Sequence, residues 1–186
     1  TSTPCAGLND WRTILVGGLN SGGRGYYALD ITNPDAPKAL WEFGYGSTCY
    51  TAAQIDAAPG TYKTDCNVGL SYGNPIITKR KSDGKWIVIV TSGYNNCYPG
   101  DGKGYLYLLD AVTGGILKRI STATGTGGMD SACTGGTPSN LARINNWVDN
   151  GLIDNTTLAV YGGDMLGNVW RFDLDSANTS TVYTAF

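Results

Sequence analysis

Five cysteines, at positions 5, 49, 66, 97 and 133, are the residues whose spacing says most about chemistry. No two of them form a C-x-x-C pair, so zinc-ribbon and thioredoxin-type arrangements lack their ligands. Cys49 and Cys66 lie 17 positions apart around a stretch rich in Gly, Ala and Thr, and Cys97 and Cys133 flank a second irregular stretch. Two disulfides are expected, Cys49–Cys66 and Cys97–Cys133, because closing a loop of about 15 residues stabilises a fold by roughly 3 kcal/mol. Cys5 is left over, for a partner or as a free thiol. Five reduced thiols in a cytosolic protein are the alternative, but the neighbouring Asp65, Asn96 and Tyr98 are unlike a core setting. Cysteine use therefore points outside the cytosol.

The remaining catalytic inventory is thin. The 186 residues contain no histidine, which removes the commonest general base and the commonest zinc ligand. With 13 Lys+Arg against 15 Asp+Glu there is no basic excess to meet a phosphate backbone, so no nucleic-acid partner is expected. No run of 18 apolar residues suggests a membrane span. Gly22-Gly23-Arg24-Gly25 lacks the following helix that a phosphate cradle requires. The chain opens on Thr1-Ser2-Thr3-Pro4 without an initiator Met and reads as a piece of a longer protein.

The elements that would position any site come from an internal repeat. Ile14-Leu15-Val16-Gly17-Gly18 leads to Gly25-Tyr26-Tyr27-Ala28-Leu29-Asp30; Ile87-Val88-Ile89-Val90-Thr91-Ser92-Gly93 leads to Gly104-Tyr105-Leu106-Tyr107-Leu108-Leu109-Asp110; Leu158-Ala159-Val160-Tyr161-Gly162-Gly163 leads to Gly167-Asn168-Val169-Trp170-Arg171-Phe172-Asp173. Each phrase is an apolar strand, a glycine-bearing turn and an aromatic strand ending in Asp. A further strand follows, as in Lys38–Phe43 and Ile116–Ile120, and another leads, as in Ile76–Lys79. Four strands per unit predict an all-β fold: a partial, quinoprotein-like β-propeller of about three four-stranded antiparallel blades. The units run roughly over 1–48, 67–122 and 138–186 within one domain, 1–186, with the cysteine-bracketed insertions between them. Three blades make an open arc whose outer edges want partners. One short helix is expected in an insertion, over Pro138–Val148, where apolar residues stand at 141, 144, 147 and 148 behind a Ser/Asn cap.

The long connection from Asn95 to Gly104 could present Asn95, Asn96 and Asp101 to a partner, or it could be simply a tethered loop. The tyrosines could serve a sugar-binding surface, although their alternating positions suit packing between blades better.

Four segments together resemble the C-terminal β-propeller of the PilY/PilC-type type IV pilus tip adhesins. They are Leu70–Ile77, Thr91–Asn96, Gly102–Tyr107 and the most specific of them, Tyr161-Gly162-Gly163-Asp164-Met165-Leu166-Gly167-Asn168-Val169-Trp170-Arg171-Phe172-Asp173. The resemblance runs from Trp11 to Asp175. It implies a non-catalytic protein, carried through the periplasm to the cell surface and the pilus tip, whose propeller docks on minor pilins and supports pilus assembly, adhesion and twitching motility, with a host surface or glycan as a further partner.

The resemblance also implies an acidic calcium loop shortly before the Tyr-x-Gly-Asp motif, and here the sequence departs from the pattern. Asp149, Asn150 and Asp154 are the candidate metal ligands, but Leu152 and Leu158 occupy positions where oxygen donors are expected. No other cofactor is implied.

Two other readings compete. Gly104–Gly114 is similar to the repeats of pyrroloquinoline quinone dehydrogenases, which need a calcium-held quinone and often a vicinal disulfide; no adjacent cysteine pair exists here. A free-standing scaffold or carbohydrate-binding propeller is the other.

Overall fold

The computed structural model describes residues 11–174 and 179–184. Cys5 lies outside the described residues.

The first sheet holds β1 (Ile14–Gly18), β2 (Gly25–Asp30), β3 (Lys38–Tyr45) and, beyond a helix α1 (Ala52–Ala57), the two-residue β4 (Thr64–Asp65). The middle sheet holds β5 (Ile76–Arg80), β6 (Trp86–Thr91), β7 (Tyr105–Asp110) and β8 (Ile116–Ser121). The third holds β9 (Ile144–Trp147), β11 (Ala159–Gly163), β12 (Asn168–Asp173) and β13 (Thr179–Thr184). The short β10 (Thr156–Thr157) leaves the third unit and joins the middle sheet alongside β5. Among the described residues three antiparallel meanders are thus present, but only the third sheet has four antiparallel strands and nothing more. β4 pairs parallel to β3, and β10 parallel to β5.

Period-2 alternation decides how the sheets stack. In the middle sheet Val88, Val90, Tyr105, Tyr107 and Leu109 face the first sheet, where they pack with Tyr26, Ala28, Trp41 and Phe43. The other face, Ile87, Ile89, Leu106 and Leu108, packs on Val160, Trp170 and Phe172 of the third sheet. Phe43 and Tyr107 meet with ring centroids 5.0 Å apart. Trp41 donates from Nε1 to the Ala111 carbonyl at 2.9 Å and lies against the turn at Gly114, where φ is +72° and an added Cβ would stand 2.6 Å from the indole. Only glycine meets both conditions.

The third phrase of the repeat centres on Asp164. Its carboxylate accepts hydrogen bonds from Trp170 Nε1 (2.8 Å), Asn168 N (2.9 Å), Leu166 N (3.0 Å), Ser139 Oγ (3.1 Å) and Thr124 Oγ1 (3.2 Å). Burial alone would raise its pKa; the donors, Trp170 and Asn168 foremost, outweigh it and hold the carboxyl below its ordinary value.

Residues 138–148 are not helical: the chain is irregular up to β9, with Asn140 at φ +54°, and then forms the strand β9. Leu141 is buried between the middle and third sheets, Ile144 packs partly against the same core, and Trp147 points out, 59 % exposed. A strand pairing with β11 satisfies Asn145 and Asn146, poor helix formers, better than a helix would. The helix forms instead as α1 in the Cys49–Cys66 insertion, behind a capping box in which Thr51 and Gln54 hydrogen-bond each other's backbone.

Trp170 is 1 % exposed, and its replacement by alanine should cost about 3–5 kcal/mol, read as a lower denaturant midpoint. Because the Asp164 carboxyl is depressed, its contribution is present above its unfolded pKa of about 3.9 and is lost as pH falls below that. Asp164→Asn should therefore flatten the acid limb of a stability-against-pH curve, and an unchanged limb would contradict this role.

Candidate functional site

The connections β1–β2, β6–β7 and β11–β12, and the insertion after β3, share one end of the sheets, and Asn95, Asn96 and Asp101 are all there. The three do different things. Asn95, exposed with φ +58°, donates its N–H to Asn140 Oδ1 at 2.9 Å. Asn96 is fully buried: its Nδ2 donates to the carbonyls of Asn67 (3.2 Å) and Lys103 (2.6 Å), so it shapes the loop and cannot reach a partner. Asp101 is exposed but held, with one oxygen accepting from the Tyr105 hydroxyl (2.5 Å) and the other from Lys103 N (3.0 Å).

Beneath these loops lies a buried polar network that adjoins both disulfides. Cys49 is joined to Cys66 and Cys97 to Cys133. Next to Cys66, Asp65 accepts at Oδ1 from Asn67 N and Nδ2, both at 3.0 Å, and pairs at Oδ2 with the Arg119 guanidinium at 2.5 Å. Asn67 Oδ1 accepts from Asp101 N at 2.9 Å, and Arg119 lies 4.5 Å from the Tyr105 ring centroid. Burial, then the hydrogen bond to Asp101, pushes the Tyr105 hydroxyl well above its ordinary pKa, so it stays a donor.

Sequence reasoning missed Arg24. Reaching from the β1–β2 turn, its guanidinium donates to the carbonyls of Asn95 and, at 3.3 Å, Tyr98, while sitting 5.1 Å from the Tyr45 ring centroid. The only signal in the sequence was a lone cation among glycines. Tyr72 meets Tyr94 edge-on at 5.5 Å. Tyr45, Tyr72 and Tyr98 therefore present 39–48 % exposed surfaces on a braced loop end. Rigid aromatic and amide groups suit binding.

At the other end, Asp149, Asn150 and Asp154 share one exposed turn. Asp149 accepts from Trp147 Nε1 (3.1 Å) and Asp154 from Thr156 Oγ1 (2.7 Å). Leu152 is fully exposed, and Leu158 lines a groove of about 360 Å³ with Trp147 and Tyr161. Calcium takes six to eight oxygens; this donor set does not fit it. Among the described residues no three His, Cys, Asp or Glu side chains gather as a metal site.

A sequence model described as the PilY1 beta-propeller domain matches residues 6–183. The chain belongs to the PilY1 β-propeller family. Among its PilY1 relatives, the type IV pilus biogenesis factor PilY1 of Pseudomonas aeruginosa strain UCBPP-PA14 is 31 % identical over 182 residues, 95 % of this chain and 13 % of the relative. A PilY1 homolog from Xylella fastidiosa strain Temecula1 is 32 % identical over 170 residues, 88 % of this chain and 10 % of the relative. The crystal structure of the Pseudomonas aeruginosa PilY1 C-terminal domain superposes with a TM-score of 0.64 at 31 % identity, covering 88 % of this chain and 27 % of that one. The chain thus spans about an eighth or less of these full-length relatives, which are named as biogenesis factors and not as enzymes. No helix among the described residues is long and apolar enough to cross a membrane.

Replacing Cys49 and Cys66 together by serine should lower stability by about 3 kcal/mol and loosen residues 48–66, as measured by denaturant titration with limited proteolysis. Unchanged stability would show that the insertion is held by its packing alone.

Proposed function

We propose that this chain is the propeller of a non-catalytic type IV pilus biogenesis factor that works outside the inner membrane at the pilus tip. Its loop end docks on minor pilins there, supporting assembly, adhesion and twitching motility. The match to the PilY1 propeller over residues 6–183 carries the reading. The loop end adds physical support. Arg24 ties the loops of two sheets into one surface, and the disulfides and the Asp65–Arg119 pair brace it from below. A surface fixed before binding gives up little side-chain entropy when a partner arrives.

A second reading is favoured by the exposed Tyr45, Tyr72 and Tyr98: a glycan stacking on these rings. Surface plasmon resonance of the intact protein against the purified minor-pilin complex separates the two. Saturable binding that Arg24→Ala with Tyr98→Ala weakens about tenfold or more supports docking through this end, since a few braced aromatic and Arg groups dominate most interfaces. Glycan-array binding with no pilin affinity would replace the pilus reading with the carbohydrate one.

A further inference from the structure

The turn at 149–154 continues into Asn155, Thr156 and Thr157, and this segment is bound across two sheets. Thr156 and Thr157 pair in parallel with Lys79 and Arg80, and Lys79 N donates to the Asn155 carbonyl at 2.9 Å. Thr78 and Thr157 are both fully buried, and their hydroxyls lie 2.8 Å apart. Thr78 Oγ1 also lies 2.6 Å from the Asn155 carbonyl, which can only accept. The single Thr78 proton therefore goes to Asn155, and Thr157 must donate to Thr78. Thr157 Oγ1 in turn accepts from Asn146 Nδ2 at 2.7 Å. The result is a directed chain, Asn146 to Thr157 to Thr78 to the Asn155 carbonyl, running from β9 of the third sheet through β10 to β5 of the middle sheet, with each buried hydroxyl both donating and accepting.

The turn itself closes without help. The Asn150 carbonyl accepts from Ile153 N at 3.0 Å and from Asp154 N at 2.8 Å, and the two carboxylates are oriented by Trp147 and Thr156. A divalent ion would have to recruit side-chain donors from positions 152 and 158, where leucines stand, one in solvent and one in the groove beside Trp147 and Tyr161.

We propose that residues 149–157 form a strap ordered by this directed hydrogen-bond chain between the middle and third sheets, and that the chain takes the ordering role that a calcium ion has in a loop of oxygen ligands. The junction between these sheets then keeps its order at any calcium concentration. Buried hydroxyls are suited to this task, because a group that loses its partner in a dry interior leaves an uncompensated dipole and the strap opens as a unit.

Amide hydrogen exchange on the intact protein tests the proposal, with peptides covering 148–158 followed in millimolar calcium chloride and in excess chelator. The expected result is the same exchange in both. Thr78→Val removes both hydrogen bonds of that hydroxyl, the one to the Asn155 carbonyl and the one from Thr157, and should speed exchange of those peptides by about tenfold or more. Peptides from Ile87–Val90 should stay protected, and Thr78→Ser should restore the strap. Should Thr78→Val fail to fold, Asn146→Ala removes the first donor from the opposite sheet and carries the same expectation. Slower exchange of 148–158 in calcium, or local variants that leave it unchanged, would overturn the proposal, as would acceleration spread evenly over the middle sheet.

Discussion

The middle sheet buries both of its faces, and that requirement places the two sheets on either side. β6 reads Trp-Ile-Val-Ile-Val-Thr, apolar at nearly every position, and all but Trp86 are buried. A sheet with one wet face would alternate with polar residues; this one cannot be exposed on either side without leaving a row of branched side chains in water. Corresponding positions of the aromatic strand therefore alternate in duty. Tyr26 and Ala28 point forward onto the middle sheet, Leu106 and Leu108 forward onto the third, while Tyr107 and Leu109, then Trp170 and Phe172, point back. On the third sheet the forward positions are Val169 and Arg171, which line its open grooves.

Stacking sheets in this way leaves their ends to be closed by loops, and the loops carry the polar groups. The Asp65–Arg119 pair is buried, which is costly unless each remaining lone pair and proton is met. Asn67 meets Asp65 and the Tyr105 ring lies against Arg119, so the pair fixes the insertion that carries Cys66 against the edge strand β8. Asn96 does the corresponding work beside Cys97. Backbone and side-chain hydrogen bonds at this end thus share one network, and rigidity of the loop surface follows from burial beneath it.

Burial also governs the titratable groups. The chain has no histidine, its exposed Asp101 is occupied by Tyr105 and Lys103, and its strongly shifted tyrosines, Tyr26 and Tyr107 among them, are shifted chiefly by burial. Such shifts report packing. What the fold positions with care is a braced rim of Arg24, Tyr45 and Tyr98, together with the strap between sheets.

The architecture was legible because strand patterning is local. The three repeats give the hairpins, and the two disulfides follow from which irregular stretches the cysteines bracket. The helix was misplaced because Leu141, Ile144 and Trp147 match a helical period by spacing alone, while the choice between helix and strand there depends on pairing with β11. Its true position had a local signal, the Thr51–Gln54 capping box. Nor could spacing tell that Asn96 is interior while its neighbour Asn95 is exposed, or that Arg24 bridges two sheets. The sequence by itself determined the hairpin strands of the repeat, their turns and their apolar faces, since these rest on contacts within a few residues. Only the tertiary structure decided which loop groups meet and which strand β10 joins, because those pairings span 29 to 79 positions and depend on how whole sheets stack.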